Sequence, residues 1–484
     1  MKIMKFVCVP LLAALSAWAS GPYGADNGWA ISNSGTVYLT EDAAKQMVAA
    51  GTGWIRVEMR LIPGHTSWDE QMLGYYDEAV NNARNAGLQV LLLVDYTSWP
   101  GNQSAWEENN AEVAGGNGRN DYVVGFAWQA LRTIVDHFRD RVYYYEIWNE
   151  PNAWTQSYGK GGSFLYPSNY AWMLAESWTV VHLDLHSDAM LFSGGVFGHN
   201  IGGSYNYDKA GGKYLDDTYA AGIQYGPFKR MKEQYGTYPL DGIGQHIYIH
   251  QGGVLPAGSF RLYLDYVRQA YTKYEGADTR KETFITEFGW QTHAVSETVQ
   301  DQNLVTAFQE MDQTPYVHMA TWFQWHDGPS AGLYYGVLDS NNNPKLAFPD
   351  YQRYETFEGR FADRTVSRPI ADYFAAAGPV AMGNPEDLGR GAFVFAAGNG
   401  FGQDSRFGTR GTLTVYSGPA GTYEVLAVHG IRCIYEKRGG AERLGLPTGE
   451  EYREGEVYRQ NFEHGRVVVP EAALPLIQRA CGGR

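Results

Sequence analysis

The segment YYYEIWNEP at residues 143–151 decides how the rest of this chain is interpreted. Aromatic and branched residues run from Tyr143 to Trp148, as in a buried strand. The run stops at Glu150 and Pro151, and a proline cannot continue a β-ladder. A second run, FITEFGW at residues 284–290, has the same form and carries Glu287 near its end. The two segments predict two strands that each deliver a glutamate to a strand end.

Short apolar strands alternate with amphipathic helical stretches around these segments, from about residue 28 to about residue 354. Eight strands are predicted, at residues 28–32, 54–60, 89–95, 142–148, 190–194, 242–249, 282–288 and 317–325. Helices are predicted at residues 41–50, 68–86, 121–138, 169–185, 260–274 and 299–311. The alternation predicts an α/β fold, a closed (β/α)8 TIM barrel, with its chemistry at the carboxyl ends of the strands. An open doubly wound sheet is the alternative, but no Gly-x-Gly-x-x-Gly turn follows the first strand.

Three regions are predicted along the chain. Residues 1–19 have the form of a secretory signal peptide, with Lys2 and Lys5 before an apolar stretch and Ala17-Trp18-Ala19 before the cut. A membrane anchor is the alternative, although the apolar run is short for a bilayer. Residues 20–365 are predicted to form the barrel and residues 376–484 a small β-rich domain. We therefore expect a secreted protein without a membrane span.

Composition narrows the class of partner. The formal net charge is −15, which argues against nucleic acid and anionic lipid as partners. Aromatic residues make up 14% of the chain, and such rings can cover the apolar faces of a neutral sugar polymer. No zinc-type His or Cys spacing is present, so neither a metal nor another cofactor is expected. Cys433 and Cys481 could form a disulfide in an exported protein; two separate thiols are the alternative.

Two glutamates at strand ends are what a retaining glycosidase needs, because one protonates the leaving oxygen and the other attacks the sugar carbon. The motifs Ile147-Trp148-Asn149-Glu150-Pro151 and Ile285-Thr286-Glu287-Phe288-Gly289 resemble those of clan A glycoside hydrolases, and families 5 and 39 are the nearest patterns. The resemblance spans about residues 28–355. It implies a poly- or oligosaccharide substrate with β-linkages, Glu150 as acid/base and Glu287 as nucleophile, with carboxyl groups about 5–5.5 Å apart.

The same resemblance implies roles for four further residues. Arg56 on the second strand would lie beside the nucleophile; its alternative is a pairing with Glu58 or another structural acid. Asn149 would hydrogen-bond the sugar 2-hydroxyl; its alternative is a turn residue at the strand end. His246 and Tyr248 lie two residues apart and so share one face of the sixth strand, with the Tyr248 hydroxyl near the nucleophile.

Tryptophans are expected to bind sugar rings. The resemblance implies one under the sugar of the −1 subsite, for which Trp322 is preferred over Trp325. Trp99 and Trp154 follow strand ends and could form the floor of further subsites, although each could equally be packing. One departure is that Asp95-Tyr96-Thr97-Ser98-Trp99 stands where many family 5 enzymes have a histidine.

The C-terminal region carries a different resemblance. Residues 431–469, with LGLP at 444–447 and NFEHG at 461–465, resemble one LGFP-type repeat, which implies association with the cell envelope. A purely structural cap is the alternative. For the whole chain, the alternative to an enzyme is a non-catalytic carbohydrate- or envelope-binding protein on a glycosidase-like barrel.

Overall fold

The structure is a computed structural model, and it describes residues 23–26, 29–108, 117–153, 163–198, 211–279, 281–314, 316–355, 369–370, 373, 376–377, 379–386, 394–407 and 410–481. Eight parallel strands follow one another in chain order and close on themselves, because the first pairs with both the second and the eighth. The strands are β1 Tyr23–Asp26, β2 Trp54–Met59, β3 Gln89–Val94, β4 Tyr144–Ile147, β5 Met190–Ser193, β6 Gly242–Ile247, β7 Glu282–Phe288 and β8 Val317–Phe323. The predicted TIM barrel is confirmed.

Helices pack around this barrel. They are α1 Glu41–Ala49, α2 Glu70–Ala86, α3 Gln103–Glu107, α4 Asp121–Gly125, α5 Arg132–Phe138, α6 Pro167–Trp178, α7 Gly212–Gln224, α8 Pro227–Tyr235, α9 Ser259–Glu275, α10 Glu297–Asp312 and α11 Phe348–Glu355. The π-helical turns Phe126–Leu131 and Thr179–Asp184 join α4 to α5 and extend α6. The six predicted helices are present, while α3, α7, α8 and α11 were not predicted. Within the described residues, no helix combines the length and the apolar character needed to cross a membrane.

The first strand was predicted at residues 28–32, and this is wrong. β1 is Tyr23–Asp26, which pairs in parallel with β2 and β8. Ala30 and Ile31 are buried, but Ile31 forms a short antiparallel bridge with Val37. The sequence YGAD has no apolar run, so the buried pair that follows it resembled a strand more closely than the strand itself.

Alternation along the strands separates two cores. Ile55 and Val57 on β2 face the helices and belong to the large outer core. Trp54 on the same strand faces the barrel axis, in an inner apolar layer. That layer is completed by Leu91, Tyr144, Phe192, Phe284 and Met319. The next inward-facing residue along β2, and likewise along β4, is polar. The apolar layer therefore forms a floor beneath a polar mouth.

The C-terminal part is β-rich, as predicted. One antiparallel sheet has the order β10-β11-β12-β13, with β9 also pairing to β11, and a second has the order β14-β15-β16. These strands are β9 Gly383–Glu386, β10 Val394–Ala397, β11 Gly400–Phe407, β12 Leu413–Gly418, β13 Gly421–Leu426, β14 Tyr452–Glu454, β15 Val457–Phe462 and β16 Gly465–Pro470. Short helices are Pro379–Met382, Ile431–Lys437, Gly440–Arg443 and Leu474–Cys481. Cys433 is disulfide-bonded; the side chain of its predicted partner, Cys481, lies outside the described residues.

The inner floor gives a stability prediction. The rings of Phe284 and Phe192 stack with centroids 4.2 Å apart and planes 6° from parallel. We expect Phe284→Ala to lower the free energy of unfolding by about 3–5 kcal/mol, because it leaves a cavity that the closed barrel cannot fill. Denaturant unfolding followed by tryptophan fluorescence measures this, since every tryptophan lies at or before residue 325. Leu262→Ala, at a position 47% exposed, is the control; an equal loss in both variants would contradict this packing.

Candidate active site

Arg56 is a buried cation at the centre of the barrel mouth, only 4% exposed. Its Nη1 donates to Glu287 Oε1 at 2.6 Å, and its Nε donates to Glu146 Oε2 at 2.7 Å. Its Nη2 donates to Asn149 Oδ1 at 3.0 Å. A buried guanidinium is tolerated when carboxylates neutralise it with good geometry. Arg56 therefore contacts both the predicted nucleophile and a structural acid, which combines the two predicted alternatives.

Glu146 is the acid that the sequence analysis missed. Its side chain is fully buried on β4. Its Oε1 accepts from the Thr286 hydroxyl at 2.8 Å and from the backbone N–H of Gly195 at 3.0 Å. The signal was available, because Glu146 lies two residues after Tyr144 and therefore shares its inward face. Glu146 links four parts of the barrel wall through Arg56, Thr286, Gly195 and its own strand.

Glu287 reaches the mouth through an irregularity in β7. The register between β6 and β7 shifts so that Gln245 faces Ile285 while His246 faces Glu287, which leaves Thr286 as the extra residue. Such a bulge re-aims side chains, and here both Thr286 and Glu287 contact groups inside the barrel. The Tyr248 hydroxyl donates to Glu287 Oε2 at 2.6 Å. Burial, and then the charge of Glu287, raise the pKa of Tyr248 well above its ordinary value, so this hydroxyl stays a donor.

Glu150 is presented by a backbone in an uncommon conformation. Trp148 and Glu150 have φ angles of 73° and 46°, which cost on the order of 1–3 kcal/mol each in a residue other than glycine. Contacts that hold this turn include the Trp148 indole N–H, which donates to the Ser163 carbonyl at 2.6 Å, and the Trp148 backbone N–H, which donates to Val94 at 2.8 Å. The Glu150 side chain is 26% exposed, against 10% for Glu287. Glu150 thus faces the open side of the pair.

His246 lies between the two glutamates. Its Nδ1 is 3.0 Å from Glu150 Oε1 and 3.6 Å from Glu287 Oε2, while its Nε2 is 3.1 Å from the Thr286 hydroxyl. Burial lowers the pKa of His246, but the charges of Glu287 and Glu150 outweigh it, so the net pKa is raised. The ring lies directly against Gly195, where an added Cβ would come within 1.9 Å of it.

The three side chains Glu150, His246 and Glu287 come close enough to be considered as metal ligands. One ligand atom from each lies within 4.8 Å of the other two. However, Glu287 Oε1 already accepts from Arg56 and Oε2 from Tyr248. A cation here would compete with both donors and be repelled by the guanidinium. The donor set therefore fits a pair of reacting carboxylates better than a metal centre.

The aromatic wall of the site differs from the prediction for Trp322. That side chain is fully buried in the outer core, with Phe288 5.2 Å away, and its indole N–H donates to the Tyr335 carbonyl. Its position on the outward face of β8 explains the error. Phe323, the next residue, faces the site instead, with its ring 6.1 Å from Tyr248 and 5.3 Å from Tyr335. Phe323 and Tyr335 are half-buried and were both missed.

The other predicted tryptophans do not join this group. The Trp99 ring packs on Gly125 of α4, where an added Cβ would approach it to 2.8 Å, so the structure gives it a packing role. Trp154 lies outside the described residues. The six polar residues predicted for the site, in contrast, are brought together: Arg56, Asn149, Glu150, His246, Tyr248 and Glu287.

Asp95 follows β3 and begins the segment that departs from the family 5 pattern. It is 1% exposed, and its Oδ1 accepts from the Thr97 N–H at 2.8 Å and the Thr97 hydroxyl at 2.7 Å. Thr97 also donates to Glu58 Oε1 at 3.1 Å. Burial, and then the charge of Glu58, raise the pKa of Asp95 to about 8. A titrating carboxyl therefore lies one strand away from Arg56.

Part of the barrel matches a known protein family. Residues 230–348 match the family model described as the glycosyl hydrolase catalytic core, and this segment contains His246, Tyr248 and Glu287. No curated protein matches the chain. The family match and the paired glutamates together support a glycoside hydrolase.

Solved structures with a similar fold also include glycoside hydrolases. A family 39 glycoside hydrolase from Bacteroides cellulosilyticus is 15% identical with a TM-score of 0.49, covering 84% of this chain and 71% of that one. An endo-β-1,4-glucanase from Xanthomonas axonopodis pv. citri is 15% identical with a TM-score of 0.47, covering 70% and 98%. An exo-β-1,4-mannosidase from an Opitutaceae bacterium is 15% identical with a TM-score of 0.45, covering 70% and 60%. At this identity the likeness concerns the fold only.

Asp95 gives a prediction about pH. Between its ordinary pKa of 3.8 and about 8, the folded chain keeps a proton that the unfolded chain has lost, so this contribution to stability falls as pH rises through that window. Asp95→Asn keeps an acceptor for Thr97 but does not titrate. We expect the melting temperature of the variant, relative to the parent, to rise from pH 5 to 8 and then level off, corresponding to more than about 1.4 kcal/mol. Differential scanning fluorimetry across pH measures this, with Asp42→Asn as the surface control; a difference that does not change with pH would contradict the assignment.

Proposed function

We propose that this protein is a retaining glycoside hydrolase that cleaves a β-linked glycan by double displacement. The observation that supports it most is the close approach of Glu150 and Glu287: one carboxylate oxygen of each lies within 4.8 Å of the other, and His246 Nδ1 contacts both side chains. Retaining enzymes hold their carboxyl groups about 5–5.5 Å apart, whereas inverting enzymes leave about 6.5–9.5 Å for a water. The short gap therefore favours direct attack by a carboxylate.

In the first step Glu287 attacks the anomeric carbon and Glu150 protonates the departing oxygen. Arg56 and Tyr248 each donate to one oxygen of Glu287, so the attacking group is oriented before substrate arrives. Attack converts Glu287 to a neutral ester. Arg56 would then lose one counter-charge, but Glu146 at 2.7 Å remains ionically paired with it.

In the second step Glu150 takes a proton from water, and the water cleaves the glycosyl ester. Glu150 is the more exposed glutamate of the pair, which suits exchange of leaving group and water. His246 contacts Glu150 through Nδ1 and the buried Thr286 hydroxyl through Nε2. These contacts limit the positions that the Glu150 carboxyl can take between the two steps. Asn149, held by Arg56, would meet the sugar 2-hydroxyl.

Secretion and attachment to the cell envelope belong to the same proposal but rest on sequence alone. The signal peptide at residues 1–19 lies outside the described residues, and the LGFP-type repeat at residues 431–469 remains a resemblance. A non-catalytic binding protein on the same barrel is a weaker proposal, because Arg56, Tyr248 and His246 surround both glutamates in a way that binding alone would not require.

Variants of the nucleophile and of the acid/base should respond differently to azide. The test substrates are the 2,4-dinitrophenyl glycosides of β-cellobiose, β-mannobiose and β-xylobiose. We expect Glu287→Gln to abolish hydrolysis of each of these glycosides that the parent cleaves. Glu150→Ala should still form the glycosyl-enzyme, because that leaving group needs no proton, and azide should restore turnover and give a β-glycosyl azide. Absorbance assays and proton NMR of the product anomer measure this.

The matched control for these variants is Glu233→Gln, at a side chain 64% exposed on α8, which should behave like the parent. EDTA should also leave the rate unchanged. An α-configured first product, or full activity of Glu287→Gln, would refute the mechanism.

Glu146 is proposed as a positioning residue. Glu146→Gln keeps the shape of the side chain. It removes the negative charge that still pairs with Arg56 when Glu287 is esterified. We expect kcat to fall about 100-fold with little change in KM, as for a misplaced reacting group. Steady-state kinetics on the same glycosides measures this. Glu282→Gln, a carboxylate at the opposite end of β7 paired with His318, is the control, and an equal loss in both variants would make Glu146 merely structural.

A further inference from the structure

A cavity of about 470 Å³ lies in the C-terminal domain, separate from the residues of the barrel site. Its size falls in the range of small-molecule sites, about 300–1,000 Å³. Residues of β13, β14 and β15 line it together with residues from the segments between strands. The proposal below rests on four of the lining residues: Arg410, Glu424, Glu451 and Tyr452.

One atom in this wall lacks a partner. The Glu451 side chain is 7% exposed, and its Oε1 contacts His429 Nδ1. Its Oε2 is buried and has no hydrogen-bond partner among the described residues. A buried acceptor without a donor costs about 1–3 kcal/mol, and buried polar groups in folded proteins are rarely left so. Glu451 is one of the residues that line the cavity, so a ligand donor that reaches Oε2 from there would satisfy this acceptor.

The charges around the cavity are nearly balanced. Arg410 Nη1 pairs with Glu424 Oε2 at 2.7 Å, and the Tyr373 hydroxyl donates to Glu450 Oε1 at 3.0 Å. Arg453 also lines the cavity. Burial raises the pKa of both Glu450 and Glu451. The two guanidinium groups, Arg410 and Arg453, disfavour a positively charged ligand. The three carboxyl groups, Glu424, Glu450 and Glu451, disfavour a negatively charged ligand. A neutral ligand rich in hydroxyl groups fits this lining best.

The wall also has an exposed aromatic ring. The rings of His429 and Tyr458 stack on each other with centroids 4.0 Å apart and planes 8° from parallel, and the Arg453 guanidinium lies over the Tyr458 ring at 5.6 Å, so these two rings are covered by their neighbours. Tyr452 is 41% exposed although it lines the cavity. Tyrosine faces can cover the apolar faces of sugar rings while their hydroxyls remain hydrated. Carboxyl and guanidinium groups beside such rings can both accept from and donate to sugar hydroxyls.

We propose that this cavity is a second carbohydrate site, which binds one or two units of a neutral polysaccharide independently of the barrel. Glu451 Oε2 accepts from a sugar hydroxyl, Tyr452 covers a ring face, and the Arg410–Glu424 pair contacts neighbouring hydroxyls. Binding here would hold the barrel close to a polymer between cleavage events. The proposal does not require that the barrel be catalytic.

Affinity electrophoresis of the full chain tests this proposal. Glu287→Gln serves as the background, so that no polymer is cleaved, and the gels contain barley β-glucan, glucomannan, xylan or laminarin. We expect Tyr452→Ala and Glu451→Gln to raise the dissociation constant at least 10-fold for a polymer that the background retains. Tyr38→Ala, at an exposed tyrosine of the barrel domain (55%), is the matched control and should not change it.

Two results would overturn the proposal: retention by none of the four polymers, or retention that both cavity variants leave unchanged. Tyr452 is exposed, so its substitution tests the cavity even if Glu451→Gln fails to fold. In the otherwise unaltered chain, Tyr452→Ala should keep the kcat/KM of the parent on aryl glycosides. If the parent cleaves no glycoside while Tyr452→Ala still loses polymer binding, the proposed catalysis fails and the second site stands.

Discussion

A guanidinium inside a barrel must be neutralised where it lies, and the arrangement of the mouth follows from how Arg56 meets this requirement. Its three contacts reach Glu146, Asn149 and Glu287, so the ends of β2, β4 and β7 are tied at one point. Glu146 then recruits the Thr286 hydroxyl and the backbone of Gly195. The apolar floor beneath keeps water from entering from below and strengthens each of these charge interactions. Removal of the Arg56 charge would leave two carboxylates, Glu146 and Glu287, buried without their shared cation.

Local backbone irregularity converts this network into a reactive geometry. Regular strands would point Thr286 and Glu287 to opposite faces, yet the shift in register after Gln245 turns both inward. The left-handed conformations at Trp148 and Glu150 similarly end β4 and redirect the chain. These departures from regular structure coincide with the two glutamates, which is where a strained backbone serves function. The network holds the side chains, and the irregular backbone brings them within reach of each other.

Much of this could be predicted from the sequence because it depends on local pattern. Strands rich in branched residues, helices of period 3.6 and two glutamates at strand ends predicted the barrel and the positions of Glu150 and Glu287. What failed depended on pairing between distant segments. β1 has no apolar run, and only its pairing with β2 and β8 makes it a strand. The facing of Trp322 and Phe323 depends on shifts between β7 and β8. Glu146 was visible in the inward alternation of β4, but its role requires Arg56.

The contact between Gly195 and the imidazole of His246 has a consequence for variation among related proteins. Because a methyl group at residue 195 would overlap the ring, this position is closed to every other amino acid while the histidine is retained. A glycine after the fifth strand and a histidine on the sixth should therefore change together or not at all across divergent homologues. This pairing offers a marker for aligning distant members, and it directs engineering of substrate preference toward other positions around the cleft.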